Sequence, residues 1–133
     1  MASIRREITL SVPADRAWDA VADFGQVHRR LAPGFVTDAT LEGHVRTVTF
    51  TSGQVFREHL VACEHERRRL VYAIAEAPFL SYQGTVEVRP EGSGSRFVWV
   101  VDLLPNELAG RVGVAMDAGA RAMQAALEQT ERA

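Results

Sequence analysis

The chain has 133 residues, 47% of them apolar and 24% charged, with a net charge of −2 at neutral pH. That length fits one domain able to bury a core without staples, and the near-zero charge excludes the broad positive field that nucleic acid or an anionic membrane surface would require. Cys63 is the only cysteine, so no internal disulfide can form and nothing asks for an oxidising compartment.

The opening stretch MASIRREITLSV holds no long apolar run of the signal-peptide kind, and no segment approaches the ~20 apolar residues of a membrane span. The expectation is a cytoplasmic chain with no membrane span. In SIRREITLSV, Ile4, Ile8, Leu10 and Val12 share one face, with Arg6 the exception among them. That alternation predicts a half-buried strand. Pro13 opens a helix whose stripe is Ala17, Trp18, Val21 and Ala22. Gly25 ends it, and a second short helix through QVHRRL runs up to Pro33.

Six strands follow, over residues 35–41, 45–50, the stretch after TSG, RLVYAIAE, LSYQGTVEVR and RFVWVVDLL. Short turns separate them, so neighbours pair antiparallel as a meander. PEGSGS (90–95) is a hairpin loop, and Arg67, Arg68 and Arg69, flanked by Glu64 and Glu66, read as a solvated turn. The chain closes in a long helix that starts at Pro105 and Asn106, with Glu107 in its first turn. Leu108, Val112, Met116, Gly119, Met123 and Leu127 line one face; Glu107 with Arg111 and Asp117 with Arg121 form i,i+4 pairs on the other. Gly110, Gly113 and Gly119 each cost this helix roughly 0.5–1 kcal/mol relative to alanine, which points to something that must fit against them.

A seven-stranded antiparallel sheet with one apolar face, two short helices after its first strand and one long C-terminal helix form an α+β domain, in which the sheet curls around the helix. The segments ITLSVPADRAWDAVADFGQV, GHVRTVTFTSGQVFREHL and YQGTVEVRPEGSGSRFVWVVDLLP, with the closing helix, carry a resemblance over nearly the whole chain. They resemble the START-like, birch-pollen-allergen-like helix-grip superfamily (SRPBCC), and within it the small bacterial polyketide cyclase/dehydrase branch, which plant hormone receptors also resemble. The resemblance implies a single START-like ligand-binding domain over residues 1–133 in a lipid-transport superfamily. It also implies that positions matching Glu58 and Tyr82 line a ligand cavity, as they do in the hormone-receptor relatives. After ADFG, where the branch often carries an aromatic residue, this chain reads QVHRRLAPG. The fold hosts receptors, carriers and enzymes, so function has to be argued from the site.

Strand periodicity assigns the faces independently. Arg46, Val48 and Phe50 point together, as do Phe56, Glu58 and Leu60; Leu70, Tyr72 and Ile74; Leu80, Tyr82, Gly84, Val86 and Val88; and Phe97, Trp99, Val101 and Leu103. A three-residue TSG loop with Gly53 in the left-handed region pairs Val48 with Phe56 and Arg46 with Glu58. Two charges then face each other on the apolar side, and a one-residue slip would separate them. The pair is either a structural clasp that fixes register or the polar end of a ligand pocket. Candidate ligand-binding residues are Arg46, Val48, Phe56, Glu58, Tyr72, Ile74, Tyr82, Gly84, Trp99, Val112, Met116 and Met123; Gly84 would leave space, and the methionines would adapt to a guest.

His28, His44, His59 and His65 show no metal-ligand spacing. Cys63 falls on the side of Arg57 and His59, outside the cavity, and no nucleophile motif, phosphate-cradling glycine loop or cofactor fingerprint is present. The expected function is binding of a small apolar or aromatic, hydrophobic or amphipathic molecule between sheet and C-terminal helix, with no metal, cofactor or nucleic-acid partner. The alternative is a polyketide cyclase/dehydratase-type enzyme, with Glu58 as general acid/base and Tyr82 or Arg46 steadying an enolate. His28 at the cavity mouth would favour that alternative. A third reading, lipid handling or protein interaction through the open end of the grip, lacks a basic or amphipathic surface helix to support it.

Overall fold

The computed structural model describes the backbone of residues 1–132 and the side chains of residues 1–129. Seven strands form one antiparallel sheet: β1 (Ala2–Leu10), β2 (Val36–Glu42), β3 (Val45–Phe50), β4 (Val55–Glu64), β5 (Arg69–Ala73), β6 (Ser81–Glu91) and β7 (Gly94–Leu104). Their spatial order is β1-β7-β6-β5-β4-β3-β2, a meander from β2 to β7 with β1 added at the far edge. Helix α1 (Ala14–Ala22) follows β1, and a 3-10 turn (Phe24–Gln26) that widens into a π turn (Val27–Leu31) supplies the second short helix. The long helix α2 (Ala109–Arg132) lies along the concave face.

The core forms where the periodicity puts it. Leu70, Val88, Phe97, Val101 and Leu103 of the sheet meet Met116 and Leu127 of α2, all fully buried. The inward Arg6 is explained by the helix. Its Nε donates to Asp117 Oδ1 at 2.6 Å, and its Nη2 reaches the carbonyl of Gly113, where the missing side chain leaves room. At the other end of β1, Ser11 N donates to Glu128 Oε1 at 2.8 Å, and Gln124 donates to the carbonyl of Thr9. Helix α2 is thus tied to β1 along most of its length.

Four expectations need correction. The helix pairs Glu107–Arg111 and Asp117–Arg121 do not form among the described residues: Glu107 sits in a 3-10 turn before α2, and Asp117 is taken by Arg6. The PEGSGS loop shrinks to Gly92 and Ser93, because Pro90 pairs with Ser95 and Glu91 with Gly94. Strand β7 can start that early because a Cβ on Gly94 would lie 2.2 Å from the carbonyl oxygen of Leu10, so only glycine lets β1 approach. Leu80 does not point inward; it precedes β6 and is 82% exposed, and Phe79 turns in instead. Finally, a bulge between Leu60 and Ala62 shifts the alternation of β4 and pairs Cys63 with the buried Leu70. Cys63 therefore packs against the core rather than beside Arg57 and His59, and burial pushes its thiol pKa up. It does not line the cavity.

Candidate functional site: an apolar cavity with a buried ion pair

The site begins at the β3–β4 hairpin. Phe50 N donates to Gln54 O at 2.9 Å and Gly53 N to Phe50 O at 2.8 Å, with Gly53 at φ +92°. That turn sets Val48 opposite Phe56 and Arg46 opposite Glu58. Arg46 Nε donates to Glu58 Oε1 at 2.7 Å, and the two side chains are only 7% and 8% exposed. The guanidinium also donates through Nη1 to the carbonyl of Phe24 at 3.2 Å and lies 3.9 Å from the centroid of the Phe24 ring. The pair therefore ties the turn after α1 to the sheet as well as joining two strands.

Beside it stand the two tyrosines and Trp99. Tyr72 is directly opposite Gly84, where an added Cβ would fall 2.2 Å from Tyr72 Cζ. Gly84 thus makes room for the Tyr72 ring rather than for a guest, and it does not line the cavity. Trp99 Nε1 donates to the Tyr72 hydroxyl at 3.1 Å. Burial raises the pKa of Tyr72, and the Glu58 carboxylate raises it further. Burial likewise holds the pKa of Tyr82 well above its ordinary value, with Tyr72 and Glu58 adding to it. Both phenols are neutral hydrogen-bonding groups at physiological pH.

Together these residues bound a cavity of about 820 Å³ between the sheet and α2. Of the sequence-predicted residues, Arg46, Val48, Phe56, Glu58, Tyr72, Ile74, Tyr82 and Trp99 line it from the sheet, and Val112, Met116 and Met123 line it from α2. The sequence reading missed an aromatic wall. Phe35, Phe50, Phe56, Phe79, Tyr82 and Tyr72 touch in succession, with ring centroids 5.3, 6.3, 5.6, 4.7 and 6.3 Å apart. Phe79 lies in a connecting segment, where period-2 reasoning does not reach; Phe35 opens the strand expected over residues 35–41, but β2 begins at Val36 and its register shifts between Val36 and Asp38, so alternation along that strand does not give the direction of Phe35. Also missed were polar residues among the lining: Thr51, Ser52 and Gln54 of the hairpin, Glu107 of the 3-10 turn before α2, and Arg111 in the first turn of α2.

His28 is not a lining residue. Its Nδ1 is buried without a hydrogen-bond partner among the described residues. No group of three His, Cys, Asp or Glu among the described residues is disposed to hold a metal ion. Among the described residues, no helix is long and apolar enough to cross a membrane. A surface groove of about 300 Å³ beside Arg29, Arg30, Ala126 and Gln129 shares no lining residue with the main cavity.

No curated protein matches the chain. Among solved structures, an uncharacterised protein from Bacillus thuringiensis is similar at 20% identity with a TM-score of 0.83, over 95% of this chain and 98% of that one. A solution structure from Thermobifida fusca is 26% identical with a TM-score of 0.80, over 99% and 95% of the two chains. Norcoclaurine synthase from Thalictrum flavum, solved as a point mutant with a transition-state analogue, is 18% identical with a TM-score of 0.68, over 98% and 96%. At such identities an enzyme and an uncharacterised protein share the fold alone. The family described as polyketide cyclase/dehydrase and lipid transport matches residues 1–133. Over its whole length, this chain belongs to the polyketide cyclase/dehydrase and lipid transport family, built on the START-like helix-grip fold.

Proposed function

We propose that the protein binds a small hydrophobic or amphipathic molecule in the cavity between the sheet and α2. The observation that carries this is the cavity itself. Protein interiors close to crystal-like density and leave few voids larger than a water molecule. A cavity of about 820 Å³ in a 133-residue chain is therefore a feature rather than a packing residue, and it falls within the range of about 300–1,000 Å³ typical of small-molecule sites. Its walls are mostly aliphatic and aromatic, with one buried ion pair and two neutral phenols able to orient a polar group. The neutral fluorophore 1-aminoanthracene serves as a probe. The wild type should enhance its fluorescence saturably, and Met116→Trp, which places an indole in the cavity, should abolish that while the thermal transition persists. Equal binding by the two proteins would place the probe elsewhere and remove the basis of the reading.

A second reading is favoured by the position of Glu58, whose carboxylate lines the cavity within electrostatic reach of both tyrosines. In it Glu58 acts as general acid/base in a cyclisation or dehydration of a polyketide-like substrate, and Tyr82 or Arg46 steadies the enolate. Turnover of a poly-β-carbonyl substrate by the wild type, lost in Glu58→Gln with binding retained, would establish it. Equal turnover in the two proteins would exclude it.

A further inference from the structure

Gly119 lies on the buried face of α2, between Met116 and Met123, both of which line the cavity. A Cβ built on it would come 3.1 Å from Phe35 Cε2 and 3.2 Å from Trp99 Cζ3, closer than ordinary van der Waals contact. Two rings from opposite sides of the cavity therefore meet the helix at one glycine. Trp99 comes from the middle of β7 and is held by its hydrogen bond to Tyr72. Phe35 comes from the segment between the π turn and β2 and is braced edge-on against Phe50, with centroids 5.3 Å apart. Lining residues lie on both sides of this contact along the helix, Val112 and Met116 before it and Met123 after it, and Val27 of the π turn and Ala32 just past it line the cavity as well.

We propose that Phe35, bearing on Gly119, is the residue that determines how long a ligand the cavity accepts. This rests on the binding reading above. At Gly119 the Phe35 and Trp99 rings crowd α2, and cavity-lining residues of the helix lie on both sides of that point, Met116 before it and Met123 after it. A ligand that extends along the helix from Met116 toward Met123 has to pass this Phe35 ring. Of the three groups at the contact, Phe35 is the one free to define the limit. Trp99 is 6% exposed and hydrogen-bonded, and Gly119 belongs to a long helix, whereas Phe35 is only partly buried on a connecting segment.

The test is displacement of 1-aminoanthracene by straight-chain primary alcohols from octanol to octadecanol. Each buried methylene adds ~0.8 kcal/mol, or about fourfold in affinity, so wild-type affinity should climb fourfold per carbon up to a cut-off length and then stop rising. Phe35→Ala should move that cut-off at least two carbons longer, and Phe35→Leu, which keeps an apolar side chain against the helix, should move it in the same direction by less. Phe56→Ala removes the same ring from a part of the cavity wall that does not bear on Gly119 and should leave the cut-off where it was. Equal shifts for Phe35→Ala and Phe56→Ala, or an unchanged cut-off in both Phe35 variants, would overturn the proposal while leaving the binding reading intact. Failure of the wild type to bind the fluorophore or any alcohol would overturn both.

Discussion

Removing one charge from the Arg46–Glu58 pair tests the site's energetics directly. In Glu58→Leu the guanidinium keeps the Phe24 carbonyl and the Phe24 and Tyr72 rings but no opposite charge, in a setting where its side chain is 7% exposed. An uncompensated buried charge of this kind costs about 3–5 kcal/mol, and Arg46→Met, which strands the carboxylate, should cost a similar amount. The double variant removes both desolvation penalties together, and replacing a buried pair by apolar residues is often neutral or stabilising by about 1–4 kcal/mol. The double variant should therefore be at least as stable as either single and close to the wild type, which is strong non-additivity. Urea unfolding followed by tryptophan fluorescence, extrapolated linearly to water, gives the four free energies. If each single costs less than about 1 kcal/mol, as an exposed pair would, and the double equals their sum, the pair is not buried and coupled as argued.

Three further outcomes follow from particular contacts. Tyr72 and Tyr82 are the only tyrosines, and both have pKa values raised above the ordinary phenol value. The native state therefore holds its phenol protons where the unfolded chain, titrating near ~10, loses them. Stability from this source is complete below about pH 10 and falls as pH climbs toward the folded values, by up to ~1.4 kcal/mol per pH unit for each tyrosine. Tyrosinate absorbance near pH 11 should appear only with unfolding, and a native protein titrating at pH 10 would contradict the burial. Gly84→Ala should displace the Tyr72 ring and its bond from Trp99, costing about 1–3 kcal/mol by overpacking, read as a lowered urea midpoint. Asp117→Asn breaks the Arg6 pair, but both side chains are partly solvated at 35% and 48% exposure. Its cost should stay below about 1 kcal/mol in the same unfolding assay, and a larger loss would mean that this clamp carries more of the grip than its exposure allows.

The sheet and its central pair were legible because period-2 alternation and a three-residue hairpin leave almost no freedom of register. Phe50, Gly53 and Gln54 close the turn, and Arg46 then has to face Glu58. Errors arose where local pattern meets a tertiary event. The bulge at Val61 carries no glycine to announce it, yet it moves Cys63 to the other face. Gly84 reads as empty space in one strand, but the opposite strand fills it with Tyr72. Asp117 has Arg121 four residues on, yet Arg6, distant in the chain, outcompetes it. The site was half visible for the same reason. Its strand and helix residues follow from periodicity, whereas Phe79 comes from a connecting segment and Phe35, expected to open a strand, stands just before β2 and its bulge, so only the assembled fold determines where the two rings point.

Whether the cavity holds a small molecule can be read from native mass spectrometry of protein purified from its own host, followed by extraction and identification of whatever is bound. The measured mass should exceed that of the chain by one small apolar or amphipathic molecule, absent from Met116→Trp. A clean apo mass, with no thermal shift across polyketides, fatty alcohols, fatty acids and steroids, would contradict it and leave Arg46–Glu58 as a clasp that fixes the register of β3 on β4.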